Sequence, residues 1–319
     1  LRRKIYKNRN SVLKKWIKEP YGIDGWRFDV ADCLARNKVT DVHEEVLKEI
    51  RRELKAENPD IYLLAEDWTD CSEDLKGDAW DGTMNYFGCA RPIREFVGEI
   101  DLFLGRNPTL NRTACKMTAK QLAERITQFY AKLPCAMQYQ MFNMLDSHDV
   151  TRLYNNPAVH EEEYKGAVIM MFALPGCPSV YYGDEVLLEG RIDSVESCRN
   201  PMDWSRKERF EKNYEFYQML SGLKRNSQAM QDGGFQVIWD KDYVFAFSRF
   251  TEKEVIFAVC STDDEEYEIV LPIENFGLKY FQEKEDYFGI PLKTEKRKGK
   301  IIWHIKPHQS YLVKVSIEN

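Results

Sequence analysis

The sequence predicts an α/β region built from parallel βα units, followed by a smaller antiparallel β-domain. Three observations carry this expectation. Up to about residue 230, short apolar runs alternate with stretches of helical period. The runs are nearly continuous in hydrophobicity, as in Ile61-Tyr-Leu-Leu-Ala, which marks strands buried on both faces. From about Gly233 the period shortens to strand alternation between turn-rich or charged pieces.

The elements follow in order. Arg2 to Lys18 carries Ile5, Val12, Leu13, Trp16 and Ile17 at helical spacing, and Pro20 ends the pattern. Ile23 to Val30 reads as a strand, and Asp41 to Ala56 as a helix with Val42, Val46, Leu47, Ile50 and Leu54 on one face. Asn58-Pro59 stops that helix before the strand at Ile61. A short strand surrounds Met84, a helix runs from Thr118 to Ala131, and Met141 to Leu145 is extended. Glu161 to Ala173 is helical, Ser179 to Tyr182 is a last short strand, and a helix covers Arg206 to Lys224. That makes five strands, consistent with an open doubly wound sheet or with part of a (β/α) barrel. Beyond them, Phe235–Trp239, Tyr243–Phe250, Val255–Val259, Tyr267–Leu271, Ile301–Ile305 and Tyr311–Val315 read as strands of a β-sandwich, with Lys293 to Lys300 as a solvated hairpin connection. The expected boundaries are residues 1–230 and 231–319.

Composition narrows the function. The 319 residues are 43% hydrophobic and 31% charged, a globular balance, and the net charge of −6 gives no general attraction to a nucleic-acid backbone. The most apolar stretch, Ala167 to Leu174, is too short to cross a bilayer. Neither GxGxxG nor GxxxxGK[ST] occurs, which disfavours nucleotide-binding sheets. The eight cysteines are scattered without CxxC, as expected of buried, reduced thiols in a cytoplasmic protein.

Chemistry concentrates at strand ends. In a parallel barrel the loops after the strands converge on one face, and catalytic side chains sit there. Gly25-Trp-Arg-Phe-Asp supplies Arg27 and Asp29, two apart and therefore on one face of the strand. Leu64-Ala-Glu supplies Glu66, and Met144-Leu-Asp-Ser-His-Asp supplies His148 and Asp149. Charges at the ends of apolar strands are costly unless they pair or do chemistry. One Arg with one Asp is compatible with a plain ion pair; three carboxylates, an Arg and a His at equivalent ends point to a site.

GIDGWRFDVAD, LLAEDW, MLDSHD and LPGCPSVYYGDE, in this order, resemble signature segments of the α-amylase family of glycoside hydrolases. Arg199-Asn-Pro-Met-Asp-Trp resembles the segment after the eighth strand in its neopullulanase, cyclomaltodextrinase and maltogenic amylase group, and Lys306-Pro-His-Gln-Ser-Tyr resembles the last strand of the family's sandwich. The resemblance implies the C-terminal part of a (β/α)8 TIM barrel, about strands 4–8, followed by an antiparallel β-sandwich. It implies a retaining hydrolase of α-1,4 glucosidic bonds, with α-1,6 bonds left open, in maltooligosaccharides, cyclodextrins or pullulan. Asp29 would be the nucleophile, Glu66 the acid/base and Asp149 the residue that holds substrate hydroxyls and stabilises the oxocarbenium-like transition state. Among substrate-binding residues, His148 would donate to a sugar hydroxyl and Arg27 would keep Asp29 ionised. Trp68 would stack on an acceptor glucose, and Asn85 and Tyr86 would line the donor side. A transglycosylase using the same residues, or a non-catalytic glucan-binding relative, are the alternatives.

Tyr181-Tyr182-Gly-Asp-Glu185 reads as structural, and His43, His160, His304 and His308 as surface residues. Ala65 stands where many relatives have Gly, and Asp32-Cys33 where the group often carries Asn and Glu that contact the acceptor. Asp146 replaces a commonly small residue, for which the sequence alone gives no physical reason. The family's first motif and its strands one to three have no counterpart here. The expectation is therefore a C-terminal part of a longer enzyme, inactive by itself. Calcium ligands of many relatives lie partly in that absent part, which leaves calcium open. The expected partner is an α-glucan or maltooligosaccharide, with no nucleic acid and no membrane, and with room for a homodimer.

Overall fold

The computed structural model describes residues 1–99, 116–190, 198–276, 284–288 and 291–317. In chain order the first elements are α1 (Val12–Ile17), β1 (Gly25–Phe28), α2 (His43–Glu57), β2 (Tyr62–Ala65), β3 (Gly82–Thr83), α3 (Arg91–Phe96) and α4 (Ala119–Ala131). Next come α5 (Cys135–Gln138), β4 (Phe142–Asn143), α6 (Glu161–Ala173), β5 (Cys177–Pro178), α7 (Arg206–Arg209), α8 (Glu211–Asn226) and α9 (Gln228–Asp232). Strands follow: β6 (Gly234–Lys241), β7 (Val244–Phe250), β8 (Glu254–Ser261), β9 (Tyr267–Leu271), β10 (Lys284–Asp286), β11 (Lys293–Arg297), β12 (Lys300–Ile305) and β13 (Ser310–Ser316). The chain forms two compact units, residues 1–87 with 129–142, and residues 88–128 with 143–319.

In the first unit, β1, β2 and β3 form a parallel sheet, with Gly25 opposite Tyr62, Phe28 opposite Ala65 and Leu64 opposite Gly82. Met84 continues it through a parallel bridge to Phe142. The apolar face of α2, with Val46, Leu47, Ile50 and Leu54, is buried together with Ile61, Leu63 and Ala65. Asp81 fixes the sheet from below: it accepts the Leu63 N–H at 2.9 Å and pairs with Arg51 (2.7 Å) and Lys55 (2.9 Å). A Cβ at Gly82 would meet the Gln140 carbonyl at 2.4 Å, so only glycine lets the chain pass there.

Several expectations change. The helix expected over Arg2–Lys18 is broken. The polar run Asn8-Arg-Asn-Ser11 leaves Asn8 and Ser11 extended, separating a single turn at Arg3–Lys7 from α1. The strand over Ile23–Val30 shortens to β1, because Val30 turns left-handed with φ 46° and ψ 51°. The strand expected at Ser179–Tyr182 lies at Cys177–Pro178, since the following residues turn through Gly183 at φ 89°. The helix over Arg206–Lys224 is interrupted at Phe210. His43 is buried rather than surface-lying: its ring bonds the Leu34 carbonyl at 2.7 Å and Asp74 at 3.1 Å. Of the seven described cysteines, all free, Cys71, Cys89, Cys198 and Cys260 are buried, but Cys33, Cys135 and Cys177 are exposed; Cys115 lies outside the described residues.

In the second unit, two antiparallel sheets, ordered β10-β13-β8-β7-β6 and β11-β12-β9, share a core of Phe257, Trp303, Ile269, Val313 and their neighbours. The two strands that the sequence reading missed, β10 and β11, are rich in charge and lack an apolar period. Lys293 to Lys300 is itself the β11–β12 hairpin, with Arg297 paired to Glu268 and Glu295 at 2.9 Å each. Helix α6 buries ten of its 13 residues. Gly166 is the contact point: a Cβ there would meet Ser310 Oγ at 2.3 Å and Cys260 Sγ at 2.5 Å, on β13 and β8. Among the described residues no helix is long and apolar enough to cross a membrane.

Lys224, at the end of α8, donates to the Met230 carbonyl at 2.6 Å, and burial beside Arg249 depresses it to about 7. The unfolded chain, with lysine near 10.4, holds this proton over a range in which the native state has released it. Stability should therefore climb as pH rises from about 7 towards 10, by at most about 1.4 kcal/mol per pH unit from this group. Urea midpoints of wild type and Lys224→Met across that range check it; parallel curves for the two would contradict it.

Candidate active site

The parallel register of β1 and β2 brings the residues after each strand out at the same end. The ladder continues one step beyond: the Glu66 N–H donates to the Phe28 carbonyl and the Ala31 N–H to the Glu66 carbonyl, both at 2.9 Å. Between these bonds Val30 adopts its left-handed conformation. A β-branched residue avoids that region, and such strain gathers at functional sites. Here it aims the Val30 N–H at Glu66 Oε2, 2.8 Å away.

Arg27 binds both carboxylates of this end. One Nη donates to Asp29 Oδ1 at 2.6 Å, as the two-residue spacing on a strand predicts, and the other lies 3.1 Å from Glu66 Oε2. Its Nε faces the Met84 sulfur at 3.3 Å. The environments differ: the Asp29 side chain is 74% exposed and that of Glu66 only 6%. Glu66 Oε1 accepts from Trp68 Nε1 at 3.2 Å, and the Trp68 ring stacks on Tyr86 with centroids 3.7 Å apart. Asn85 and Tyr86 are both fully buried; Asn85 donates to the Tyr130 hydroxyl at 3.4 Å. Arg27, Asp29, Glu66, Trp68, Asn85 and Tyr86 thus all belong to the first unit.

His148 and Asp149 belong to the second. Asp149 accepts from Arg199 Nη2 at 2.8 Å through one oxygen and faces His148 Nε2 at 3.0 Å through the other. Arg199 Nε also donates to the His148 carbonyl at 3.2 Å, so one side chain spans the pair. The segment is anchored from behind by Arg94 of α3, fully buried, which pairs with Asp146 and Glu99 and donates to the carbonyls of Leu145 (3.0 Å) and Thr151 (2.6 Å). Asp146 in turn accepts the Leu153 N–H at 3.0 Å. That is the physical reason for Asp146. Tyr181 and Tyr182 flank Arg152, whose guanidinium pairs with buried Asp184, and their hydroxyls bond the carbonyls of Cys198 and Asn200, a structural arrangement.

Three contributors escaped the sequence reading. Val30 acts through its backbone, which no side-chain pattern reveals. Arg94 meets Asp146 from 52 positions away. Arg199 was visible only as part of a motif.

The family described as alpha amylase, catalytic domain, matches residues 1–249. A cyclomaltodextrinase of Thermoanaerobacter pseudethanolicus is 29% identical over 304 residues, covering 95% of this chain and 46% of its own. Neopullulanase 2 of Thermoactinomyces vulgaris is 29% identical, covering 92% of this chain and 47% of its own. A solved cyclomaltodextrinase superposes with a TM-score of 0.72 at 27% identity, over 95% of this chain and 47% of that one. The chain thus spans about half the length of these relatives.

Proposed function

This chain belongs to the α-amylase family, and on that premise we propose that it serves a retaining glycoside hydrolase acting on α-glucosidic bonds. The substrates are maltooligosaccharides, cyclodextrins or pullulan, cleaved at α-1,4 bonds, and the products from pullulan decide whether α-1,6 bonds are cleaved as well. The observation that carries the reading is one guanidinium, Arg27, paired with two carboxylates of unlike exposure at the ends of adjacent parallel strands.

Each carboxylate suits a different role. Exposed Asp29, with a cation at 2.6 Å, is a nucleophile kept anionic for attack on the anomeric carbon. Glu66 is enclosed, with Oε2 held by Val30 and Arg27. Its Oε1 carries the proton that goes to the departing glycosidic oxygen, and the resulting carboxylate then takes a proton from the water that opens the β-glycosyl ester. Asp149, oriented by Arg199 and His148, holds sugar hydroxyls and supports the oxocarbenium-like charge. Residues 1–230 supply barrel strands 4–8 in this reading, and residues 231–319 a sandwich without catalytic residues. The superposition on a solved cyclomaltodextrinase and the parallel order β1-β2-β3 support it.

Protein carrying these residues, incubated with maltotriose, cyclodextrin and pullulan and followed by product separation, tests the proposal. Expected are shorter saccharides whose reducing ends are released in the α configuration. Products of β configuration, or cleavage unchanged in Asp29→Asn, would overturn it.

A further inference from the structure

A group of side chains far along the chain from the carboxylates has ligand geometry that the proposed hydrolysis does not use. His160 and Glu163 lie at the first turn of α6, and His308 lies in the turn that leads into β13; all are in the second unit. One ligand atom from each of the three lies within 4.8 Å of the other two. We propose that His160, Glu163 and His308 bind a divalent transition-metal ion of the zinc type, stapling the start of α6 to the turn before β13.

The donor set points to that class of ion. Two imidazoles and one carboxylate suit zinc and its neighbours, whereas calcium and magnesium take oxygen ligands. A tetrahedral ion about 2.0–2.1 Å from each ligand holds the ligand atoms roughly 3.3 Å apart, so small side-chain rotations close the triangle. His308 is already oriented for it. Its Nδ1 faces Glu163 Oε1 at 2.9 Å, while its Nε2 is held by the Asp264 carboxylate at 2.9 Å on the opposite side. A carboxylate behind a histidine fixes its tautomer and orientation, the usual support of a metal-bound imidazole. The rings of His160 and His308 are 4.9 Å apart between centroids. Glu163 is fully buried, so its charge needs a cation nearby. Lys116 now contributes one at 3.2 Å, and keeps the Thr262 carbonyl at 2.5 Å when the metal takes the carboxylate. The other cluster of this kind among the described residues, Glu268, Glu295 and His304, has its carboxylates occupied by Arg297, so a metal would have to expel a guanidinium.

The test needs no enzymatic activity. Protein treated with a chelator and dialysed is titrated calorimetrically with zinc chloride, and separately with cobalt(II), whose visible spectrum reports the donor set. One equivalent should bind with micromolar affinity, the cobalt spectrum should lack sulfur charge-transfer bands, and the melting temperature should rise by several degrees. His160→Ala should weaken binding at least tenfold. His308→Asn, chosen because asparagine tolerates the left-handed backbone at this position (φ 51°), should do the same. Asp264→Asn should cost about tenfold, and Glu268→Gln nothing. Affinity should fall as pH drops from about 7.5 to 6, because protons compete with the metal for both imidazoles. Failure to bind at millimolar zinc, or binding that survives both histidine variants or shows thiolate bands, overturns the proposal.

Discussion

In the full-length enzyme, replacing Glu66 by Gln is expected to lower kcat on maltotriose by about 10²–10⁴-fold, with the protein still folded. The amide has nearly the same shape, and its carbonyl can accept the Val30 N–H and the Arg27 Nη that now reach Oε2. Its NH2 then faces the Trp68 Nε1 that now donates to Oε1 at 3.2 Å, a donor against a donor. That mismatch costs on the order of 1 kcal/mol in stability, small beside the catalytic loss. What disappears is the proton for the departing oxygen. A substrate whose leaving group needs no proton separates this role from others: with α-glucosyl fluoride, Glu66→Gln should form the glycosyl ester at close to the wild-type rate. An equal loss with both substrates would show that Glu66 does something other than protonate.

The second large effect is on stability. Arg94→Ala should destabilise the protein by about 3–5 kcal/mol, because it strands buried Asp146 and the neighbouring Glu99 without their cation. It also removes the donors that reach the carbonyls of Leu145 and Thr151 on either side of His148 and Asp149. Urea unfolding measures the loss. Arg94→Lys should recover only part of it, since an ammonium cannot reproduce the fork of bonds to two carboxylates and two carbonyls. A midpoint within error of wild type for Arg94→Ala would refute this account of the segment.

These two residues mark the limits of what the sequence shows. Helices α2 and α4 were legible because burial on one face writes a period into the residues, and α6 and the apolar strands β2, β7, β8 and β13 because burial nearly all round writes a continuous apolar run. Asp29 and Glu66 stood out as candidates because a charge directly after an apolar strand needs a reason. Asp146 did not, because its partner comes from another helix and ion pairing leaves no local pattern. The turn at Val30 was hidden more deeply, since side-chain identity argues against the backbone it adopts. Strands β10 and β11 escaped because strands made mostly of charged residues carry no hydrophobic alternation. His43 looked solvated in a polar neighbourhood, yet its two ring bonds are made to groups 9 and 31 positions away.

Helix α6 has a consequence for how the second unit opens and closes. With ten of its residues covered, and Gly166 pressed against Ser310 and Cys260, it has almost no surface that it can expose alone. Amides protected by α6, β8 and β13 therefore share one opening event, and their hydrogen exchange should report a single free energy rather than a gradient from helix to sheet. The line between a barrel-like part and a sheet-like part, drawn near residue 230 from the change in sequence period, is then a line in topology and not in cooperativity.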